Sequence, residues 1–345
     1  MTSRERVVRA LEFRGPDRAP RELWALPWVS QFAAAQHAEV LKEFPSDFIG
    51  SWPLARSGRA RGEPARNGVY LDDWGVPFVC GEDGVIGEVK APPLAEAAAL
   101  ASFQPPWEII RQANWGAVNA AQQKNLASSN PRFLKCGTSL RPFERMQFLR
   151  GSENLFVDMA YDSLEFRRLR DLVHEFFLAE LAGWVATDCD GLQFMDDWGS
   201  QRGLLISPAM WRAMFKPLYR EYCRMIRQAG KKVFFHSDGC IFEILQDLIE
   251  IGVDAVNSQL FCMDIEEIGR RFRGRLTFWG EIDRQRVLPF GSAEEVRRAV
   301  GRVRRALDDG QGGVIAQCEW GVGNPADNIR AVFQAWSDPI GHLPT

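Results

Sequence analysis

The chain has 345 residues, 46% of them hydrophobic and 25% charged, which is the balance of a folded globular protein and excludes a disordered one. Lys and Arg number 42 against 45 Asp and Glu, a net charge of -3, so the basic face expected of a nucleic-acid binder is not indicated. The seven cysteines are scattered with no CxxC pair, which reads as free thiols in a reducing compartment. Met1 to Arg14 alternates charges without an apolar core, unlike a signal peptide, and no run of 18 apolar residues occurs, so a cytoplasmic location and no membrane span are expected.

The first predicted element is a helix over Thr2 to Phe13, with Thr2 or Ser3 as its cap, and Gly15 and Pro16 end it. An extended segment follows near Pro20 to Trp24, and a second at Asp47 to Ile49. Gly50 to Pro93 is rich in glycine, proline and aromatics with short alternating runs. It reads as a β-hairpin-like insertion near the mouth of a larger fold, not as a domain of its own. Leu94 to Asn125 is expected to be largely helical except around Pro105 and Pro106.

From residue 132 onward apolar runs alternate with amphipathic stretches. The runs are Phe133 to Cys136, Gly191 to Met195, Lys232 to Phe235, Ala255 to Val256, Leu276 to Trp279 and Gly313 to Ala316. The intervening helices include Phe166 to Val185, Pro208 to Ala229, Ile241 to Ile251, Ile265 to Phe272, Ala293 to Leu307 and Pro325 to Trp336. Strand and helix in alternation make a parallel sheet. Six runs plus the two early ones give eight strands, and no glycine-rich nucleotide fingerprint follows any of them. The expected fold is therefore α/β, a single (β/α)8 TIM barrel over residues 1–345 with an N-terminal extension and the 50–93 insertion.

A barrel does its chemistry at the carboxyl ends of its strands. Those ends carry Asp196-Asp197-Trp198, His236-Ser237-Asp238, Asn257-Ser258-Gln259, Glu281 with Asp283 and Arg284, and Gln317-Cys318-Glu319. His236, Asp238 and Cys318 would supply nitrogen, oxygen and sulfur to a divalent metal such as zinc, leaving a fourth position open. The bland alternative for His236 is a hydrogen-bonded structural histidine. Cys240 could be packed or activated by the helix that follows it, and Cys136, Cys189, Cys223 and Cys262 read as small buried hydrophobes.

At these residues the chain resembles the uroporphyrinogen decarboxylase superfamily. The resemblance runs from "TSRERVVRALEFRGPDRAP" through "DDWGVPF" and "ISPAMWRAMFKPLYREYCRMIRQAGKKVFFHSDGCIFEILQDLIEIGVDAVN" to "FWGEIDRQRVLPFGSAEEVRRAV" and "NPADNIRAVFQAW". It implies the barrel, a cleft at its carboxyl face and, as superfamily members commonly dimerise, a homodimer. It is closer to the branch of zinc-dependent methyltransferases, which move methyl groups to or from corrinoid proteins. That branch resembles His-x-Cys-Gly after the fifth strand with a Cys after the last; here His236 and Cys318 match and Asp238 stands at the first cysteine, making a harder site. The implied activity is metal-dependent transfer of methyl between a small methylated compound, such as an aryl methyl ether in an O-demethylation, and a corrinoid protein. The chain has no corrinoid-binding Asp-x-His-x-x-Gly segment, so the corrinoid would come on a partner.

The alternative is a uroporphyrinogen-type carboxy-lyase of tetrapyrrole biosynthesis. Against it, the arginines flanking Gln-Ala-Gly at the amino terminus of that enzyme are replaced by Arg18-Ala19-Pro20-Arg21, and its Gly-His-Gly near the last strand by Glu319-Trp320-Gly321. In the methyltransferase reading Glu281, Asp196 and Asp197 are the candidate catalytic groups. Glu281 is a fourth ligand or base, or else a salt-bridge partner of Arg284. Adjacent Asp196 and Asp197 point opposite ways, so one of them is expected to face the cleft. Asn257, Gln259, Trp198 and Trp24 are the candidate substrate-binding residues.

Overall fold

The computed structural model describes residues 1–344. Eleven strands are present: β1 (Arg21–Ala25), β2 (Phe48–Ile49), β3 (Gly68–Leu71), β4 (Pro77–Cys80), β5 (Glu88–Val89), β6 (Phe133–Gly137), β7 (Gly191–Met195), β8 (Lys232–Ser237), β9 (Ala255–Ser258), β10 (Thr277–Trp279) and β11 (Val314–Trp320). Eight form one sheet in the order β1-β11-β10-β9-β8-β7-β6-β2, every pairing parallel. Helices surround it, so the chain is a (β/α)8 barrel, nearly closed. Among the described residues no helix is long and apolar enough to cross a membrane.

The remaining seam lies between β1 and β2, and one aspartate spans it. Asp47 N–H donates to the Arg21 carbonyl at 2.9 Å, and the Arg21 N–H returns a bond to Asp47 Oδ2 at 2.7 Å. The same carboxylate takes Arg6 and Arg18, each at 2.7 Å. Arg6 belongs to the first helix, Ser3–Leu11, whose cap is Thr2 accepting from the Glu5 N–H. Val7 and Leu11 of that helix pack under the barrel with Phe48, Phe133, Phe234, Ala255, Trp279 and Ile315, closing its floor. A sequence-distant ion pair thus fastens the amino-terminal extension beneath the strands.

Strand alternation sorts the rest. Ala255 and Asn257 face the interior, as do Phe234 and His236, while Val233, Phe235 and Val256 face the helices. Above the apolar floor lies a polar layer. Lys135 Nζ bonds Glu22 and Gln193 at 3.0 Å each and sits 3.7 Å over the Trp279 ring. This buried cation was invisible in an apolar-run reading, because it replaces a hydrophobe in the middle of a strand.

The 50–93 segment holds the antiparallel sheet β3-β4-β5. The expected single helix over 208–229 is two, Pro208–Met214 and Lys216–Gln228, since Pro217 opens a new first turn where a continuous helix would need its N–H. The stretch after Leu94 is likewise broken into a short 3-10 turn (Ala97–Ala101) and helices Trp107–Arg111 and Trp115–Leu126.

Candidate functional site

At the carboxyl end of the barrel lies a cavity of about 1000 Å³. Its floor holds Asp197, His236, Asp238, Arg284 and Glu319; its walls include Trp24, Tyr70, Phe78, Arg141, Glu144 and Phe148. Tyr70 and Phe78 come from the 50–93 sheet, where their rings stack at 5.0 Å.

Three potential ligand atoms, one each from Asp197, His236 and Asp238, lie within 4.8 Å of one another. His236 Nε2 is 3.6 Å from Asp197 Oδ1 and 3.6 Å from Asp238 Oδ1. The other ring nitrogen, Nδ1, is 2.7 Å from Asn257 Oδ1. Asn257 Nδ2 in turn donates to the Trp279 carbonyl and to Gln317 Oε1. A carbonyl only accepts, so the Asn257 amide is oriented with its oxygen toward His236, and Nδ1 is the protonated ring atom. With Nδ1 as the donor to Asn257, Nε2 is the ring atom turned toward the two carboxylates. Three electron-rich atoms facing one point need a cation or a proton between them. Asp238 Oδ1 is buried and has no hydrogen-bond partner, while Asp238 N–H holds Asp197 Oδ1 at 2.8 Å. Bond lengths of about 2.0–2.2 Å to one divalent ion are compatible with the 3.6 Å spacings, so these residues fit a metal.

Arg284 stands behind the cluster. It donates to Asp238 Oδ2 and, at 2.6 Å, to Glu319, and lies 3.6 Å from Glu281. Burial disfavours its charge, but Glu281, Asp238 and Glu319 together hold its pKa above the usual arginine value. Glu281 is 2% exposed; burial pushes its carboxyl well above the usual range, the attraction of Arg284 notwithstanding. Glu281 is outside the three-residue cluster. It lines a separate cavity of about 240 Å³ beyond Arg284, together with Gln259. Gln259 turns its amide oxygen to the Arg284 Nε at 3.1 Å, so it braces this arginine and does not line the main cleft.

Four more expected site residues lie outside the cleft. Cys318 does not join the cluster. The strand runs on to Trp320, so alternation still governs residue 318: Gln317 and Glu319 point inward, and Cys318 packs among the helix-facing residues. The register confirms this, placing Cys318 beside helix-facing Leu23 and Glu319 beside cleft-lining Trp24. Burial also raises the Cys318 thiol pKa, disfavouring the thiolate a metal requires. Asp196 likewise faces outward, accepting from the Phe143 and Glu144 N–H groups at 2.9 Å each and from Tyr219 Oη at 2.5 Å. It anchors the amino terminus of helix Pro142–Arg150, and its neighbour Asp197 enters the cleft. Trp198 is fully buried, stacked on Phe143 at 4.0 Å with its N–H on Tyr219, and cannot meet a ligand. Asn257 is also fully buried; it orients His236 and does not reach the cleft. Trp24 lines the cleft, its ring 5.3 Å from that of His236.

Glu144 went unnoticed in the sequence. It lies past the loop after β6, in the first turn of helix Pro142–Arg150, which Asp196 holds at the cleft. The spacing of two adjacent aspartates after a strand was the available signal.

The fold and this cluster define a class: a (β/α)8 barrel with an imidazole and two carboxylates converging at its carboxyl face. The uroporphyrinogen decarboxylase (URO-D) family model matches residues 69–338, and the chain belongs to that family. Among solved structures, a methyltransferase from Methanosarcina mazei superposes with a TM-score of 0.72 at 14% identity, over 98% of each chain. A glycosylated endo-beta-1,4-xylanase from Gloeophyllum trabeum gives a TM-score of 0.46 at 11% identity over 96% of this chain and 98% of its own. The first shares the fold; the second is too distant to bear on the site. No curated protein sequence matches the chain.

Proposed function

We propose that the protein is a metal-dependent methyltransferase that takes methyl from a small aryl methyl ether and passes it to a corrinoid carried on a partner protein. The observation carrying this reading is the Asp197–His236–Asp238 cluster at the base of an aromatic-walled cleft. A divalent ion held there would act as a Lewis acid on an ether oxygen. The chain's own groups do the rest. Asn257 fixes the His236 tautomer, Arg284 steadies Asp238, and Trp24, Tyr70, Phe78 and Phe148 offer ring faces and edges to an aromatic ligand. The cavity is at the upper end of the ligand-pocket range, leaving room for a reactive face of a partner beside a single ring.

The donor set is one nitrogen and two oxygens, harder than the nitrogen–oxygen–sulfur set expected from sequence, and it favours zinc, iron or manganese without thiolate. The carboxy-lyase reading is disfavoured by charge. Six acidic residues and three arginines line the cleft, and Arg145 and Arg284 are already paired with Asp72 and with Asp238 and Glu319. A polycarboxylate would meet net repulsion. The protein acts as a dimer in this proposal, on the strength of the family resemblance alone.

The test is to load the protein with zinc, supply methoxybenzenes and free cob(I)alamin, and follow methylcobalamin by absorbance. The carbon–oxygen bond breaks, methyl passes to cobalt, and the oxygen keeps the electron pair and takes a proton. Methyl transfer by the native chain and its loss in His236→Ala is the expected outcome. No transfer from any donor, with release of carbon dioxide from a carboxylated tetrapyrrole, would overturn it.

A further inference from the structure

The smaller cavity, of about 240 Å³, shares one lining residue with the main cleft, Arg284, and none of Asp197, His236 and Asp238 lines it. Its apolar side is Leu260, Phe261 and Ile282, and its carboxylates are Glu281 and Asp283. Arg284 is claimed by nearer partners. It donates to Asp238 and, at 2.6 Å, to Glu319, and its Nε meets the Gln259 amide oxygen at 3.1 Å. Glu281 is left 3.6 Å away, beyond hydrogen-bond reach. Its side chain is 3% exposed, and its Oε1 is buried without a hydrogen-bond partner. Asp283 spends Oδ1 on the backbone N–H groups of Gln285 and Arg286, at 2.9 and 3.0 Å, and its Oδ2 accepts from no described residue. Buried carboxyl oxygens are rarely left without a donor, so one that belongs to the lining of a cavity points to a ligand that supplies it.

We propose that this cavity is a second ligand site, separate from the Asp197–His236–Asp238 cluster, and that it takes a small primary ammonium on a short alkyl chain. The charge follows from the carboxylates. Asp238 and Glu319 already hold Arg284, so Glu281 and Asp283 remain in the cavity against one exposed arginine, Arg286. An ammonium brings three donors and the missing positive charge, whereas an anion would meet both carboxylates with the Arg284 donors taken. Burial works against the ionised form of Glu281, and a cation beside it restores that form. The size follows from the volume, which lies below that of pockets for drug-sized ligands. The alkyl chain follows from Leu260, Phe261 and Ile282. None of this depends on methyl transfer or on a bound metal.

The experiment is titration calorimetry of the metal-free chain with propylammonium, 1-propanol and propionate, three probes of similar size that differ in charge. Native protein is expected to bind propylammonium with a dissociation constant of about 1 mM or tighter, an affinity open to so small a ligand. Propanol should bind roughly tenfold or more weakly, since a hydrogen bond between charged groups is the stronger kind, and propionate should not bind. Glu281→Gln, which keeps the shape and removes the charge, should weaken propylammonium roughly tenfold or more. Asp283→Asn, at a half-buried carboxylate, should weaken it less and guards against misfolding of the first variant. His236→Ala should bind propylammonium as the native chain does, because that ring is no part of the cavity. No binding of propylammonium, propionate bound as tightly, or an affinity that survives both carboxylate substitutions would overturn the assignment. So would binding lost in His236→Ala, which would seat the ammonium between Asp197 and Asp238 in the main cleft.

Discussion

The floor and the mouth of the barrel are built from the same strands a few residues apart, yet they obey different rules. Phe234 and Trp279 sit in the floor, fully buried among Phe48, Phe133 and Ile315, and the one polar edge there, the Trp279 indole N–H, is already bonded to Glu22 at 2.8 Å. Two residues beyond each in sequence stand His236 and Glu281, with polar atoms that the fold leaves partly unmatched. The floor is satisfied by the chain itself; the mouth requires something else to complete it. Stability belongs to one end and chemistry to the other, and the comparison can be broken residue by residue.

The largest effect is expected at the floor. Phe234→Ala should lower the unfolding free energy by about 3–5 kcal/mol, measured by denaturant titration, because a fully buried ring leaves a cavity among neighbours that cannot close it. His236→Ala, next inward-facing residue on the strand, should leave the denaturation midpoint far less changed. Equal destabilisation at both positions would erase the distinction.

A finer contrast lies within one dipeptide. Asp196→Ala strips three buried donors of their acceptor and should cost about 2–3 kcal/mol, with little direct effect on metal affinity if the helix stays in place. Asp197→Ala should do the reverse, weakening metal binding and sparing stability. Behind the cluster, Asn257→Leu removes the acceptor that sets the His236 tautomer and should weaken metal affinity about 10–100-fold by equilibrium titration.

The smallest effect is a pH dependence at Glu281. Its folded-state pKa is above its unfolded value, so the folded state binds more protons and stability falls as pH rises from the ordinary carboxyl range toward the folded pKa. Glu281→Gln should flatten that decline, read as a native-minus-variant difference in melting temperature between pH 5 and pH 8. A difference that grows the other way would mean that Arg284 keeps Glu281 ionised throughout.

Much of this architecture was legible before any coordinates. Helix Ala293–Leu307 appears with the boundaries its pattern gives, started by a capping box between Ser292 and Glu295. The apolar runs locate six strands because parallel strands are buried on both faces. The same property hides where a strand ends. Reading the last strand as finished at Ala316 freed Cys318 to point into the cleft, whereas four more paired residues, Gln317 to Trp320, carry the alternation through it. His236 and Asp238 were readable because they share one parity on one chain segment, and Asp197 because its neighbour had to point away. Glu144 and Lys135 were not, since one depends on a helix docked by a distant aspartate and the other on a charge placed inside an apolar strand.

The central claim is that Asp197, His236 and Asp238, and not Cys318, hold one divalent ion. Elemental analysis of protein purified in the presence of zinc, iron and manganese tests it most directly. The account predicts one equivalent of metal in the native chain and in Cys318→Ala, and almost none in His236→Ala. Metal retained without His236, or lost with Cys318, would contradict it.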